Sequence, residues 1–252
     1  MEMTKVEISM PPVSVIIAAY NEQAFIEMTI ASILESGFPC EVIAVDDGST
    51  DQTPQILERF GGRIRVITHS INKGKGAAMV SGLKEATGEI VIFCDAHLLG
   101  LRKHHLLFLV FPLIYGSARA VLGVSVPEKI SPSLVNVAPF LILTGQRAYY
   151  RADLLPLVNE MEDLGYGVET FLFTKFPRER SALVLLPGLA HLAKPETSSL
   201  AAAAVGYLRE SLEILETLVR MQGIVPEELT ELRQRGSALL AKYTGTRESS
   251  NK

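Results

Sequence analysis

Along the first hundred residues, short unbroken apolar runs trade places with longer stretches whose apolar positions recur every three to four residues. VSVIIAA at 13–19 is continuous and β-branched, the pattern of a strand buried on both faces of a parallel sheet. Tyr20, Asn21 and Glu22 end it. Phe25, Ile26, Ile30, Ile33 and Leu34 then mark a helical stripe up to Gly37, a residue suited to a C-cap. EVIAV at 41–45 predicts a second strand, 50–60 a helix, 64–68 a third strand and 75–86 another helix. IVIFC at 90–94 predicts a fourth strand that stops at Asp95. This cadence predicts right-handed βαβ units, hence an α/β fold with a mostly parallel sheet flanked by helices.

Beyond Asp95 the pattern loosens. Residues 102–115 read as a helix despite Pro112, 120–126 as a strand, 127–139 as a loop and 140–143 as a strand. Helices are predicted at 152–164 and 168–176, and a last strand at 183–186. From Ser198 the chain reads as helical, with Leu200, Ala204, Leu208, Leu212, Leu215 and Leu218 on one face and a second helix over 226–243. The expected organisation is one domain over 1–197, with halves at 13–101 and 102–197, followed by a helical C-terminal extension over 198–252. The apolar stripe of that extension packs on the domain or serves an oligomer contact.

Composition narrows the partners more than the fold. With 24 basic against 28 acidic residues the chain has a formal charge of −4 and no basic stripe, which argues against a nucleic-acid partner. Two cysteines, Cys40 and Cys94, sit in apolar runs without metal-knuckle or disulfide spacing, so a reducing cytoplasm is the expectation. Residues 1–10 are too polar for a signal peptide, and the apolar run at 106–114 is far short of the about 20 residues a membrane span needs. A soluble protein is expected, with peripheral contact at the inner face of the membrane as the outer limit.

In open α/β sheets ligands bind beyond the carboxyl ends of the strands, so the polar residues there are the first candidates for chemistry. The first strand leads to Ala19, Tyr20, Asn21 and Glu22, and the second to Asp46-Asp47-Gly48-Ser49-Thr50-Asp51. The third leads to Asn72-Lys73-Gly74-Lys75-Gly76, and the fourth to Asp95-Ala96-His97. Carboxylates for base and ribose, lysines at a glycine-flanked helix start for pyrophosphate, and an Asp/His pair for a metal together suit a nucleotide diphosphate bound with a divalent cation. Taken singly, the DDGSTD run is equally a turn with an N-cap, and the GKG segment a solvated helix start. The GKG segment is neither a dinucleotide fingerprint nor a Walker loop, because the third glycine and the Gly-Lys-Ser/Thr are missing.

VSVIIAAYNE, VDDGSTD, NKGKGAA and the strand into DAHLLGL, in that order, resemble the family 2 glycosyltransferases of GT-A (Rossmann-like) fold over residues 13–101. LTGQRAYYR, GYGVET and His191 are similar to segments of the glucosyl-3-phosphoglycerate synthases. The resemblance implies a nucleotide-sugar donor, UDP- or GDP-linked, bound by the 13–101 half, an acceptor bound by the 102–197 half, and a divalent metal, Mn or Mg. It implies that Ala19, Tyr20 and Glu22 frame the base, that Asp46 or Asp47 hydrogen-bonds it, and that Lys73 and Lys75 lie near the pyrophosphate. Asp95 opens the family's Asp-x-Asp metal motif, but His97 stands where the second carboxylate belongs. Three readings stay open for His97: it ligates a softer metal with Asp95 and His191, it weakens the metal site so that lysines neutralise more charge, or it caps the next segment. His191 is expected to touch metal or phosphate, and His104 and His105 to lie on the surface.

Sugar transfer needs the leaving diphosphate stabilised, and an inverting route needs a base unless the acceptor is an anion. Asp95 and Glu169 are therefore the candidate catalytic residues. Glu169 would serve as base or acceptor ligand, or merely as an acidic residue in a helix's first turn. Glu162 and Asp163 are a second choice. Gly145, Gln146, Arg147 and Arg151 resemble an acceptor loop, and their arginines suit a phosphorylated acceptor, whether a small phosphate ester or a polyprenyl phosphate. The rivals are a catalytically degenerate nucleotide-sugar-binding homologue and, further off, a sugar-phosphate nucleotidyltransferase. The latter would place a Gly-rich, Arg-bearing loop where AAYNEQ stands.

Overall fold

A computed structural model of the chain describes residues 10–126, 128 and 144–191. β1 (Val13–Ala19), β2 (Glu41–Asp46), β3 (Arg65–Thr68) and β4 (Ile90–Asp95) pair in parallel, separated by α1 (Ile26–Glu35), α2 (Thr53–Glu58) and α3 (Lys75–Glu85). After β4 come the two-residue β5 (Leu98–Leu99), α4 (Lys103–Ile114), β6 (Ala120–Val126) and β7 (Arg147–Tyr150). Short helices α5 (Arg151–Leu154) and α6 (Val158–Met161) precede α7 (Val168–Lys175), β8 (Ser181–Pro187) and β9 (Ala190–His191). The main sheet runs β3-β2-β1-β4-β7-β6-β8, and only β7 lies antiparallel to its neighbours. β5 and β9 form a separate antiparallel pair, with Leu98 opposite His191.

The unbroken apolar runs are explained by burial on both faces. Val15, Ile17, Val42, Ala44, Ile90 and Ile92 face one core with Ile26, Ile30, Ile33 and Leu57 of α1 and α2 and Leu106 and Leu109 of α4. Their neighbours Ile16, Ile43, Val45, Val91 and Phe93 face the other, with Ala78, Met79 and Leu83 of α3 and Phe171 and Leu172 of α7. Successive strand residues point to opposite faces, so a strand roofed on both sides has no polar positions to alternate.

Two predicted elements need correction within the described residues. The single helix expected over 152–164 is broken into α5, a 3-10 turn at Leu155–Leu157 and α6, because Pro156 has no amide hydrogen and its ring crowds the carbonyl one turn earlier. The acceptor loop expected from Gly145 to Arg151 is mostly a strand: β7 fills the slot between β4 and β6. The expected loop at 127–139 (Glu128 aside), the strand at 140–143, the boundary at 197 and the helical extension lie outside the described residues. No helix among the described residues is long and apolar enough to cross a membrane.

Candidate functional site

The loops after β1 and β2 are stitched into one unit. Asp47 N–H donates to the Ala19 carbonyl (2.8 Å), Asn21 N–H to Ser49 Oγ (2.9 Å) and Glu22 N–H to Thr53 Oγ1 (2.8 Å). Asn21 adopts a left-handed backbone (φ 53°) and returns the favour, its side-chain oxygen accepting from Thr50 N–H (2.9 Å). Gly48 is required where it stands: its φ is +70°, and a Cβ there would collide with the Ile71 backbone. Tyr20 is exposed at the rim, Ala19 and Glu22 are buried, and Lys73 is exposed.

The two carboxylates of the second loop have different surroundings. Asp47 accepts from Lys73 N–H (2.9 Å), Gly74 N–H (2.7 Å) and His69 Nδ1 (2.6 Å), so its oxygens are spent on shaping the turn before α3. His69 in turn meets Ser81 Oγ of α3 through Nε2 at 2.8 Å. Asp46 accepts from Ser49 N–H (3.1 Å) through Oδ1, and its Oδ2 has no hydrogen-bond partner. His69 was not singled out in the sequence, although it follows β3 directly and the strand-end rule applies to it as well.

At the end of β4 charges converge. Lys75, the first residue of α3, donates to Asp95 Oδ1 (2.9 Å) and to Glu169 Oε1 (2.6 Å) in the first turn of α7. Burial alone would raise the Asp95 carboxyl, but the charges of Lys75, His97 and His191 overcome it and hold Asp95 well below the usual carboxylate range. Burial likewise opposes the Lys75 ammonium, and Asp95 and Glu169 more than offset it, so Lys75 stays charged. Gly145 packs directly on Asp95, and any side chain there would strike its carboxylate.

The β5–β9 pair delivers His191 to the same place. Asp95, His97 and His191 bring ligand atoms within 4.8 Å of one another, and the two imidazoles meet edge to face with centroids 5.6 Å apart. His97 Nδ1 is buried 3.6 Å from Glu22 Oε1. Burial lowers the His97 value, but Glu22 and Asp95 outweigh it and the net shift is upward; at His191 burial prevails and the shift is downward. One carboxylate and two imidazoles converging on a partly buried point fit a divalent cation of the Mn or Zn type better than Mg, which prefers oxygen. Placement of His97 beside Asp95 and His191 favours the ligand reading over a capping role. His105, expected on the surface, is buried: its Nδ1 accepts from Arg102 N–H (3.1 Å) and its Nε2 donates to the Pro187 carbonyl (2.9 Å), fixing the turn that carries His191.

The expected acceptor residues do not form one cationic loop. Arg147 is fully buried, donating to the carbonyls of Thr144 and Glu169, both at 2.6 Å. Arg151 lies at the other end of β7, where its N–H meets the Glu89 carbonyl (2.8 Å). Because β7 runs antiparallel to β4, Arg147 at its start lies beside Phe93 near the carboxyl end of β4, and Arg151, just past its end, lies at the amino end of β4. Gln146 is buried, and its side chain reaches Asp95 and His191. Glu162 and Asp163 are exposed, Glu162 3.6 Å from Lys84.

Residues 14–128 match the model of glycosyl transferase family 2. An undecaprenyl-phosphate 4-deoxy-4-formamido-L-arabinose transferase of Pseudomonas aeruginosa is 37% identical over 94 residues, which is 34% of this chain and 28% of that protein. A poly-beta-1,6-N-acetyl-D-glucosamine synthase of Staphylococcus epidermidis is 33% identical over 87 residues, 33% of this chain and 21% of that protein. The matches to these curated relatives thus span about a quarter of the relatives' length. In overall structure the chain is similar to glucosyl-3-phosphoglycerate synthase of Mycobacterium tuberculosis in complex with Mn2+, UDP and glucosyl-3-phosphoglycerate, with a TM-score of 0.61 and 27% identity over 85% of this chain and 81% of that one. The same enzyme with Mn2+, UDP-glucose and phosphoglyceric acid gives a TM-score of 0.63 and 28% identity, with 85% and 81% coverage. A parallel sheet with one reversed strand, four motif loops at its carboxyl edge and these two kinds of match agree: the chain has the GT-A fold, and its residues 14–128 are similar to glycosyltransferase family 2.

Proposed function

We propose that this chain is a nucleotide-sugar-dependent glycosyltransferase that takes a UDP-linked sugar as donor, with GDP-linked sugars as the alternative. The observation that carries the reading is the meeting of Asp95, His97 and His191 at the sheet edge where Lys75 and the stitched loops of β1 and β2 also end. Tyr20 and Asp46 lie where a base would enter. Asp46 has a buried oxygen without a hydrogen-bond partner, whereas Asp47 is committed to the turn before α3. Lys73 and the amino end of α3 would serve the pyrophosphate, through a positive side chain and a helix N-terminus.

Departure of the diphosphate builds negative charge on its oxygens, and preorganised positive groups lower that barrier. A divalent cation held by Asp95, His97 and His191 would supply much of this compensation. Lys75 keeps Asp95 ionised and aimed, and Gly145 lets β7 approach closely enough to frame it. Glu169, tied to Lys75, is the carboxylate placed to bind the acceptor or take its proton. A phosphorylated acceptor is supported by the similarity to an undecaprenyl-phosphate sugar transferase and to an enzyme solved with phosphoglyceric acid; Arg147 spends its guanidinium on backbone carbonyls.

Asp95→Ala tests the reading. We expect UDP release from UDP-glucose with Mn2+ in the wild type and no release from the variant, at an unchanged circular-dichroism spectrum. Near-normal turnover by the variant would remove Asp95 from the mechanism. Wild-type protein that binds UDP but turns over no UDP-sugar with any acceptor would favour the degenerate homologue.

A further inference from the structure

We propose that Gln146 is a positioning residue that presets His191 for metal binding through Nδ1. The proposal rests on the metal reading above and deepens it. Gln146 is a buried amide between the two candidate ligands that come from different elements: its Nε2 donates to Asp95 Oδ2 (3.0 Å) and its Oε1 lies 3.0 Å from His191 Nε2. Donor and acceptor rules leave a single arrangement. The ionised Asp95 carboxylate only accepts, so the amide nitrogen must face it. The amide oxygen then faces His191, and because an oxygen without hydrogen only accepts, His191 Nε2 must carry a proton. In the neutral imidazole Nδ1 is thereby left as the bare nitrogen, and it is the one on the Asp95 side, 3.9 Å from Oδ2.

Gln146 itself has little freedom. Its carbonyl accepts from Gly123 N–H (2.8 Å), its N–H donates to Thr144 Oγ1 (3.3 Å), and that hydroxyl is also 3.1 Å from Oε1. His191, by contrast, ends a two-residue strand and is exposed, so without the amide its ring would turn and both tautomers would populate. Asp95 is fixed by the same side chain and by Lys75, so one glutamine aligns two of the three ligands. Metal-bound histidines are routinely oriented through the second ring nitrogen, and loss of such a partner costs about 10–100-fold in metal affinity.

The test uses Mn2+ alone, titrated calorimetrically into metal-free wild type, Gln146→Leu and Gln146→Met, together with nitrogen-15 imidazole spectra of the metal-free proteins. We expect the wild type to show His191 with its proton on Nε2, the variants to show a mixture of tautomers, and Mn2+ affinity to fall about 10–100-fold in both. Wild-type His191 protonated on Nδ1 would overturn the proposal without any variant having to fold. Wild-type binding with unaltered affinity in both variants would overturn the role of Gln146 and leave the metal site standing. Absence of Mn2+ binding by the wild type would instead remove the metal reading, and this proposal with it.

Discussion

Lys75 and Lys73 stand two residues apart in one glycine-flanked segment, yet their surroundings set them different tasks. Lys75 compensates two carboxylates with about a fifth of its side chain exposed, and removing it would strand Asp95 and Glu169 together. Lys75→Met should therefore cost about 3 kcal/mol, the lower end for breaking a buried ion pair, read as a lower urea midpoint. Lys73 is exposed and free to meet a diphosphate, so Lys73→Ala should leave the midpoint unchanged and weaken UDP binding. A stable Lys75→Met, or a Lys73→Ala that binds UDP normally, would count against these assignments. The sequence shows both lysines as phosphate candidates. It does not show that one is bonded to Glu169, a residue 94 positions away, because that pairing depends on where α7 docks.

At the level of elements, the first four strands and their helices are legible because each strand is roofed on both faces and each loop ends in turn or cap residues. β7 is not: RAYY is four residues long and opens on an arginine, and only its slot between β4 and β6 makes it a strand. The same insertion buries Arg147, which satisfies its guanidinium on the Thr144 and Glu169 carbonyls, a setting its sequence does not show. His105 misleads for a related reason, since its surroundings include a Pro187 carbonyl that only the folded chain brings near. At the opposite edge of the sheet Glu41 joins β2 to the turn before β4. One of its oxygens accepts from Ser14 Oγ (2.5 Å), Thr87 N–H (2.6 Å), Thr87 Oγ1 (2.8 Å) and Gly88 N–H (3.2 Å). Burial would raise this carboxyl, but those donors outweigh it and lower it from its ordinary 4.5. A depressed folded-state value stabilises the protein fully above the unfolded-state value, and the gain is lost as pH falls through the folded one. Glu41→Gln should thus lower the urea midpoint at neutral pH and flatten its decline below about pH 5. An acid limb identical to wild type would contradict the role given to Glu41.

Across the described residues, the candidate site gathers at the carboxyl edge of the sheet, while both faces hold the buried core. The strand-end rule pointed to the loops of the candidate site and placed Asp95 and His97 among the candidates, while the family resemblance added His191 and Glu169. It could not rank Asp46 against Asp47, because the difference lies in backbone donors from a loop some 26 residues on. Nor could it show the β5–β9 pair that carries His191 into place. The central claim is a nucleotide and metal site at this edge, and calorimetric titration of UDP and GDP, each with Mn2+, with Mg2+ and without metal, tests it most directly. The account predicts metal-dependent binding of UDP, tighter with Mn2+ than with Mg2+. Binding of neither nucleotide under any of these conditions would contradict it.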